Sequence, residues 1–482
     1  MRVENDSIDL EMRLYEGKQA TINKVYIRGN TKTNDRVVLR EIRTQPGQLF
    51  NRSDVIRTVR ELAQLGYFDQ EKLNPSPKAN TVDGSVDMEY NVEERPSDQL
   101  QLSGGYGNNQ LVGTLGLSFT NFSARNIFKG KEYTPLPAGD GQRLSIQAQS
   151  SGRNFQSYNL SFTEPWLGGK KPNAFTATIY HSRSNSFSGG SNLRLSGLTF
   201  GLGKRIRWPD DFFSLYYDIG FNIIEVVTPE GSIPTYQFEN GTISNGTSNN
   251  FNLGVSLSRN SIDAPIYPRR GGSFAASVSA TPPYSFFNSI DYKTASASEK
   301  FKWIEYHKWK FTSSWFTKIA DNLVVAARMQ YGFLGIYNRA VGASPFERFF
   351  IGGDGMTGFN FFESREIISM RGYDQNDLTP LSNRQAAGAT IYTKYTMELR
   401  YPVSLNPNAT IYILGFAEAG NGFLKFRDFS PFNVKRAAGA GVRIFLPMFG
   451  LLGLDWGYGF DNPYGTTQAR KSGLQFTIGQ QF

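Results

Sequence analysis

The chain contains no cysteine, which excludes a disulfide framework and any thiolate metal site. It has two histidines, His181 and His307; their spacing forms no metal pair, and neither a metal nor another cofactor is expected. No apolar run approaches the ~18 residues of a membrane-spanning helix, and mean hydropathy is −0.39. Charged residues are scarce, at 19% of the 482 positions, against the ~25% usual in globular domains. No serine carries a nucleophile motif. Gly352-Gly353-Asp354-Gly355 is followed by neither Gly-Lys-Ser/Thr nor a helix start, so it does not read as a phosphate loop. No catalytic residue is assigned, and the chain reads as a non-enzyme.

What is abundant points elsewhere. Glycine occurs 49 times and aromatics make up 14% of the chain. Many Gly, Tyr and Phe at low charge suit a transmembrane β-barrel, whose polar lumenal residues average out the hydropathy. The net charge of +9 is compatible with nucleic acid or an anionic lipid surface. The basic residues are scattered rather than blocked, as on solvated faces, and no nucleic-acid partner is expected. The N-terminus lacks a basic, apolar, small-residue leader. Residues 1–18 read as the tail of a preceding module or a linker, with more chain expected upstream.

Residues 19–95 read as a small α/β domain. Ile22 to Gly29 alternates as a strand and stops at the turn pair Gly29-Asn30. Thr33 is positioned to cap a helix running through Ile42, which Pro46-Gly47 breaks. Ser53 is expected to cap a second helix, with Val55, Ile56, Val59, Leu62, Ala63 and Leu65 at helical spacing and Gly66 as its stop. Tyr67–Leu73 and Ser85–Glu93 read as strands. The order is β-α-α-β-β, two helices on one face of a sheet whose free edge could accept an incoming strand. Through Val25-Tyr26-Ile27-Arg28-Gly29-Asn30, Thr33, Pro46-Gly47 and Leu65-Gly66-Tyr67-Phe68, this block resembles a POTRA domain, the periplasmic module of the Omp85 superfamily.

From residue 96 to 482 helical periods vanish and strict alternation takes over, as in Leu144-Ile146-Ala148 against Ser145-Gln147-Gln149 and in Phe274-Ala276-Val278 against Ser273-Ala275-Ser277. Sixteen strands are expected: 100–107, 111–122, 142–151, 155–164, 173–184, 191–206, 212–227, 249–260, 271–281, 301–320, 323–335, 387–401, 409–420, 434–446, 449–460 and 473–482. The fold class is therefore mainly β: a 16-stranded antiparallel transmembrane barrel preceded by the small α/β domain. An even count puts both barrel ends on one side, which the soluble domain makes periplasmic. Periplasmic turns are expected at Pro165-Trp166-Leu167-Gly168-Gly169, Trp208-Pro209-Asp210, Pro402 and Pro447; the external connections include the long segments 228–248, 282–300 and 336–386. The connection 123–141 is the exception, being long yet periplasmic.

The segment 336–386 has no sustained period, and a structureless stretch of that length implies a task. It carries Phe346-Glu347-Arg348-Phe349-Phe350, then Gly352-Gly353, then Met370-Arg371-Gly372-Tyr373. With the POTRA-like unit and sixteen strands, these residues resemble the long sixth loop of the Omp85 superfamily and its Arg-Gly-aromatic signature. The separation of Gly353 from Arg371 is longer than the usual pattern. The resemblance implies that Arg371 enters the lumen and pairs with acids at Glu398 and Glu418. Glu398 shares a polar face with Thr390, Lys394, Thr396 and Arg400, whereas Glu418 shares its face with Phe416 and Leu414. Spacing alone favours an exposed loop arginine and two unrelated lumenal acids.

The resemblance also implies a functional seam between the first and last strands. The first strand holds Leu100, Ser103, Gly104 and Gly105, and the last holds Gly479; glycine weakens strands, although curvature alone would also account for it. Leu474, Phe476 and Ile478 are expected to face lipid, with Phe482 as an aromatic terminus, in the manner of a C-terminal barrel-insertion signal. The implied function is that of the central subunit of an outer-membrane protein assembly machine, templating client strands at the seam. Its partners would be the outer-membrane bilayer, unfolded β-barrel clients and accessory assembly subunits, either lipoproteins or surface proteins. A secretion or translocation member of the superfamily, a TamA-like protein and, from another class, a passive channel remain open.

Overall fold

Side chains along a strand alternate between the two faces of its sheet, so a chain of alternating segments can put one face in lipid and the other around a lumen. The computed structural model describes the chain except residues 1, 5–6, 10–12, 14–18, 70–71, 81–82, 97, 108–109, 134–135, 153, 186–190, 232–235, 239–240, 321, 354–365, 383–384, 407–408, 447–449, 466–471 and 479–482. Two compact units are present: residues 1–98 with 119–142, and residues 99–118 with 143–482.

In the first unit, β1 (Thr21–Arg28), α1 (Asp35–Leu39), α2 (Arg52–Gln64), β2 (Asn74–Asn80) and β3 (Ser85–Asn91) form a three-stranded sheet, with β3 between parallel β1 and antiparallel β2. Its core is Ile22, Val37, Val38, Leu62, Phe68, Met88 and Tyr90. Asn34, not Thr33, is the N-cap of α1, and Asn51, not Ser53, caps α2, its side chain accepting the Ser53 N–H at 2.9 Å. Thr33 is instead drawn onto the Glu94 carboxylate, which accepts the successive N–H groups of Thr31, Lys32 and Thr33 at 3.0, 2.8 and 2.6 Å. The strand expected at Tyr67–Leu73 begins later. Phe68 makes only a single bridge to Glu94, and Asn74–Asn80 is the strand despite Pro75 and Pro77. Proline is tolerated there because β2 is an edge.

Residues 119–142 pack within this unit. The Asn34 N–H and side-chain Nδ2 both donate to the Gly139 carbonyl at 2.9 Å. Asn34 Nδ2 and Arg36 NH2 donate to Asp140 Oδ1 at 2.9 and 2.6 Å, and Ser123 Oγ to Oδ2 at 2.6 Å. At Gly139, φ is +121° and a Cβ would lie 2.5 Å from the Lys32 carbonyl oxygen. The connection that broke the short-turn rule is therefore long because it docks here. Residues 2–4 and 7–9 pair antiparallel with one another.

The second unit is a closed barrel of sixteen strands in chain order: β4 (Gln99–Gly107), β5 (Gln110–Phe122), β6 (Gln142–Ser151), β7 (Phe155–Glu164), β8 (Asn173–Ser184), β9 (Asn192–Ile206), β10 (Phe213–Val227), β11 (Asn245–Asn260), β12 (Arg270–Ala280), β13 (His307–Lys318), β14 (Val324–Gly335), β15 (Ile391–Asn406), β16 (Ala409–Phe423), β17 (Lys435–Leu446), β18 (Gly450–Gly459) and β19 (Gly473–Ile478). Ile219, Phe221 and Ile223 on one strand, and Leu399, Tyr401 and Val403 on another, are exposed large apolar side chains on alternate positions, as a lipid-facing surface requires.

Two expected boundaries are corrected. The strand placed at 301–320 starts only at His307, because Phe301, Ile304 and Tyr306 are buried in the interior cluster. Pro402 is not a turn. It lies within β15, which continues to Asn406 past an irregularity between Pro402 and Ser404; a bulge accommodates a residue that cannot donate to the ladder. Pro447, expected at a turn, lies outside the described residues.

The lumen is filled from both rims. Toward one, Phe301, Tyr306, Val341, Phe346, Phe349, Ile351, Met370 and Tyr373 join side chains of the wall in one apolar cluster. Toward the other, Tyr267 of the β11–β12 connection packs with Phe316, Tyr412, Leu414 and Phe416, its ring 5.2 Å from that of Tyr412.

Candidate functional site

The described residues of the long connection between β14 and β15 fold into the barrel. Phe349–Ile351 pairs in parallel with Glu366–Ile368, and Phe349 also bridges Ala389. The Met370 N–H donates to the Gly353 carbonyl at 3.0 Å and the Gly353 N–H to the Tyr373 carbonyl at 3.1 Å. Gly353 is thus tied directly to Met370 and Tyr373, on either side of Arg371. Gly352 and Gly353 have φ of +123° and +88°, and a Cβ on Gly352 would lie 2.2 Å from the Asp374 carbonyl oxygen; only glycine suits that close approach.

The tip this insert presents is Arg371-Gly372-Tyr373. The backbone N–H of Arg371 donates to Glu418 Oε2 at 2.8 Å, its Nε to Glu418 Oε1 at 3.0 Å, and its NH2 to Glu398 Oε1 at 2.7 Å. The guanidinium carbon sits 3.7 Å from the centre of the Phe416 ring. A buried cation is strongly destabilising unless paired and hydrogen-bonded; here two carboxylates and an aromatic face share the task. Arg371, Glu398 and Glu418 are exposed by 7%, 6% and 4%. The two acids are brought to the arginine by adjacent strands, β15 and β16, where Glu398 faces Phe416 and Thr396 faces Glu418 in the register.

Further charges complete the cluster. Glu398 Oε2 accepts Arg400 Nε and NH2 at 2.9 and 2.6 Å, and Lys394 Nζ lies 3.5 Å from Glu418 Oε1. Asp455 of β18 is held by both Arg443 terminal nitrogens at 2.8 and 2.7 Å, and its Oδ1 is 3.9 Å from Arg371 NH1. Sequence reasoning missed Asp455 and Arg443. The signal existed, since Asp455 lies between Leu454 and Trp456, both exposed, and so must face inward. Phe416, which obscured the facing of Glu418, is lumenal because it carries the guanidinium.

Glycines make the approach possible. Gly372 has φ +82°, and a Cβ there would lie 2.9 Å from the Tyr458 carbonyl carbon and 3.0 Å from the Gly459 nitrogen. On the wall, a Cβ on Gly457 would sit 2.7 Å from the Gly372 nitrogen, and one on Gly459 2.8 Å from the Tyr373 ring. The Tyr373 hydroxyl donates to the Arg436 carbonyl at 2.8 Å and accepts the Asp461 N–H at 3.2 Å. Higher in the insert, Lys308 Nζ of β13 reaches Glu347 Oε2 at 2.8 Å and Glu366 Oε2 at 3.1 Å.

The second candidate site is the seam. Among the described residues β19 meets β4 at two pairs, Phe476 with Tyr106 and Thr477 with Gly105. The β4–β5 ladder, by contrast, runs unbroken from Gln99↔Ser118 to Gly107↔Gln110. Gly473, Leu474 and Gln475 pair with Gly457, Trp456 and Asp455 of β18 and with no described residue of β4. Leu100 and Leu474 are exposed, as on a lipid-facing surface. Ser103 and Gly104 pair with Thr114 and Gly113 of β5 and with no described residue of β19. Phe476 and Ile478 are placed in β19 by their backbones alone. Gly479 and Phe482, singled out for the seam and the C-terminal signal, lie outside the described residues.

A lumen plugged by its own loop, a closed sixteen-strand wall and an N-terminal β-α-α-β-β module define a class: an outer-membrane barrel with periplasmic extension. The Omp85 superfamily domain model matches residues 138–482, and the POTRA model, described as a surface antigen variable number repeat, matches 20–95. The chain belongs to the Omp85 superfamily, with its barrel in the outer membrane and its POTRA domain in the periplasm. It is 23% identical to the outer membrane protein assembly factor BamA of Neisseria meningitidis serogroup B over 87% of this chain and 48% of that protein. It spans about half the length of the curated relatives it matches over most of its own length. BamA from Haemophilus ducreyi lacking POTRA domains 1–3 superposes with a TM-score of 0.63 at 18% identity, covering 96% of this chain and 84% of that one. CdiB from Acinetobacter baumannii superposes at 0.56 with 14% identity, covering 95% and 74%.

Proposed function

We propose that this chain is the membrane-embedded part of an outer-membrane β-barrel assembly factor, inserting client barrels by strand templating between β4 and β19. The observation that carries this reading is the similarity of the chain, over most of its length, to relatives bearing the BamA name; templating is assigned to the junction of the first and last strands, where Phe476 pairs with Tyr106 and Thr477 with Gly105. In lipid, unpaired backbone groups cost several kcal/mol each, so edges parted at the junction of the first and last strands would be filled by a client strand. The client then gains backbone hydrogen bonds and buries its apolar face in lipid, and no nucleotide is needed. Arg371 acts in this scheme as a positioning residue, fixing the insert against β15, β16 and β18. Relatives bearing the BamA name support the assembly reading. The apolar filling of the lumen counts against a passive channel, which needs an aqueous path. Unfolded barrel proteins are the clients, and accessory lipoproteins or surface proteins the partners.

Because the chain is free of cysteine, the seam can be locked selectively. Gly105→Cys with Thr477→Cys joins residues paired across it. Reconstituted in liposomes, the oxidised variant should fail to insert a urea-denatured eight-stranded barrel and recover on reduction. Full insertion while crosslinked would sink the templating mechanism.

A further inference from the structure

A cavity of about 1260 Å³ lies where the outward faces of β11 to β14 meet the connections at the rim bearing the long insert. Its floor is on the membrane side of the wall. Trp309 pairs across the sheet with Val278 and Phe333, and Phe311 lies two positions along the same face. Lys308, on the opposite parity, turns inward to Glu347 and Glu366. Above this aromatic floor stand residues just past the strand ends: Arg339, after β14, and Lys425, after β16. Among the described residues, basic side chains line the cavity and no aspartate or glutamate does. Lys310 is engaged by Glu366 at 3.2 Å. Arg339 and Lys425 are exposed and have no carboxylate within ion-pair distance among the described residues.

The layering is amphiphilic in the sense a bilayer requires: aromatic surface at acyl depth, paired with unneutralised cations at headgroup height. An apolar ligand would leave the two cations unused, and a free phosphate would leave the aromatic floor uncovered. We propose that this groove is a binding site for a phosphorylated anionic lipid, its acyl chains on Trp309, Phe311 and Phe333 and its phosphate on Arg339 and Lys425. The site is built from the wall and loops and is separate from the seam and from Arg371.

Trp309 makes the site testable. The protein is reconstituted in vesicles of dibrominated phosphatidylglycerol or dibrominated phosphatidylcholine, and the Trp309 signal is isolated by difference from Trp309→Phe. A basic residue near an anionic lipid surface contributes on the order of 1 kcal/mol, so two predict a roughly 30-fold preference for the anionic lipid in mixed vesicles. Arg339→Gln/Lys425→Gln should abolish the preference, and inorganic phosphate should not compete. Folding is checked by heat-modifiable migration. If the double variant does not fold, each single variant is measured, with about a fivefold loss expected. Equal quenching by both lipids, a preference that survives the substitutions, or competition by inorganic phosphate overturns the proposal.

Discussion

Replacing Arg371 by alanine removes two donor nitrogens, which make three contacts to Glu418 and Glu398, and the cation from the Phe416 ring, while the backbone N–H bond to Glu418 survives. Breaking a buried ion pair by removing one partner costs about 3–5 kcal/mol. Two features place this case at the lower end. Glu398 retains both Arg400 bonds, and Glu418 retains Lys394 at 3.5 Å, so neither carboxylate is left alone. A cost of about 3 kcal/mol shifts the docked-to-released equilibrium of the loop tip by roughly 150-fold. The assay is limited proteolysis of the insert in the folded barrel, with heat-modifiable migration reporting wall integrity. Gln375→Ala, a change in the same turn with no ion pair, is the reference. Arg371→Lys should fall between, since an ammonium cannot engage two carboxylates in the planar fork. Arg371→Ala/Glu418→Gln should cost less than the sum of the two single changes, because removing both charges leaves less unpaired. Equal protease resistance of Arg371→Ala and Gln375→Ala would refute the anchoring role.

Gly372→Ala, with φ +82° and a Cβ 2.9–3.0 Å from the β18 backbone, should loosen the tip by roughly 1–3 kcal/mol, again read by proteolysis; unchanged resistance would mean the loop approaches less closely. Tyr373→Phe keeps the ring but loses the hydroxyl bonds to Arg436 and Asp461, with an expected loss of about 1 kcal/mol in urea unfolding. In the periplasmic unit, burial opposes ionisation of Asp140, but hydrogen bonds from Ser123 and Arg36 outweigh it and hold the carboxyl below its ordinary value. The folded value being depressed, the stabilisation is complete above about pH 4 and is lost as pH falls through the folded value. Hydrogen exchange of α1 in the intact chain should therefore accelerate on acidification below that point. Asp140→Asn should flatten this limb, and an unaltered acid profile would remove Asp140 as its cause.

Much of the wall was legible because a period of two is a local property. The expected segments 142–151, 155–164 and 173–184 coincide with β6, β7 and β8, where nothing but alternation and turn chemistry sets the boundaries. The reading failed where tertiary contacts override the local pattern. Phe301 to Tyr306 alternates like the strand it precedes, yet it is buried in the lumenal cluster. Asn74–Asn80 is a strand in spite of two prolines because its outer edge has no ladder to complete. At the site, Glu398 was placed on the lumenal face by its polar neighbours. Glu418 was not, because Phe416 beside it is apolar for a reason visible only once Arg371 lies against its ring.

The sequence alone determined how many strands the wall has and which tripeptide interrupts it, since periodicity and turn chemistry act within a few residues. Only the tertiary structure decided that Glu418 binds the Arg371 backbone as well as its side chain, and that Asp455 and Arg443 complete the cluster. It also decided that Gly457 and Gly459 clear the wall for the tip and that Phe476 and Thr477 meet Tyr106 and Gly105 at the seam. These depend on how strands distant along the chain align around a closed ring, a registration that no local pattern encodes.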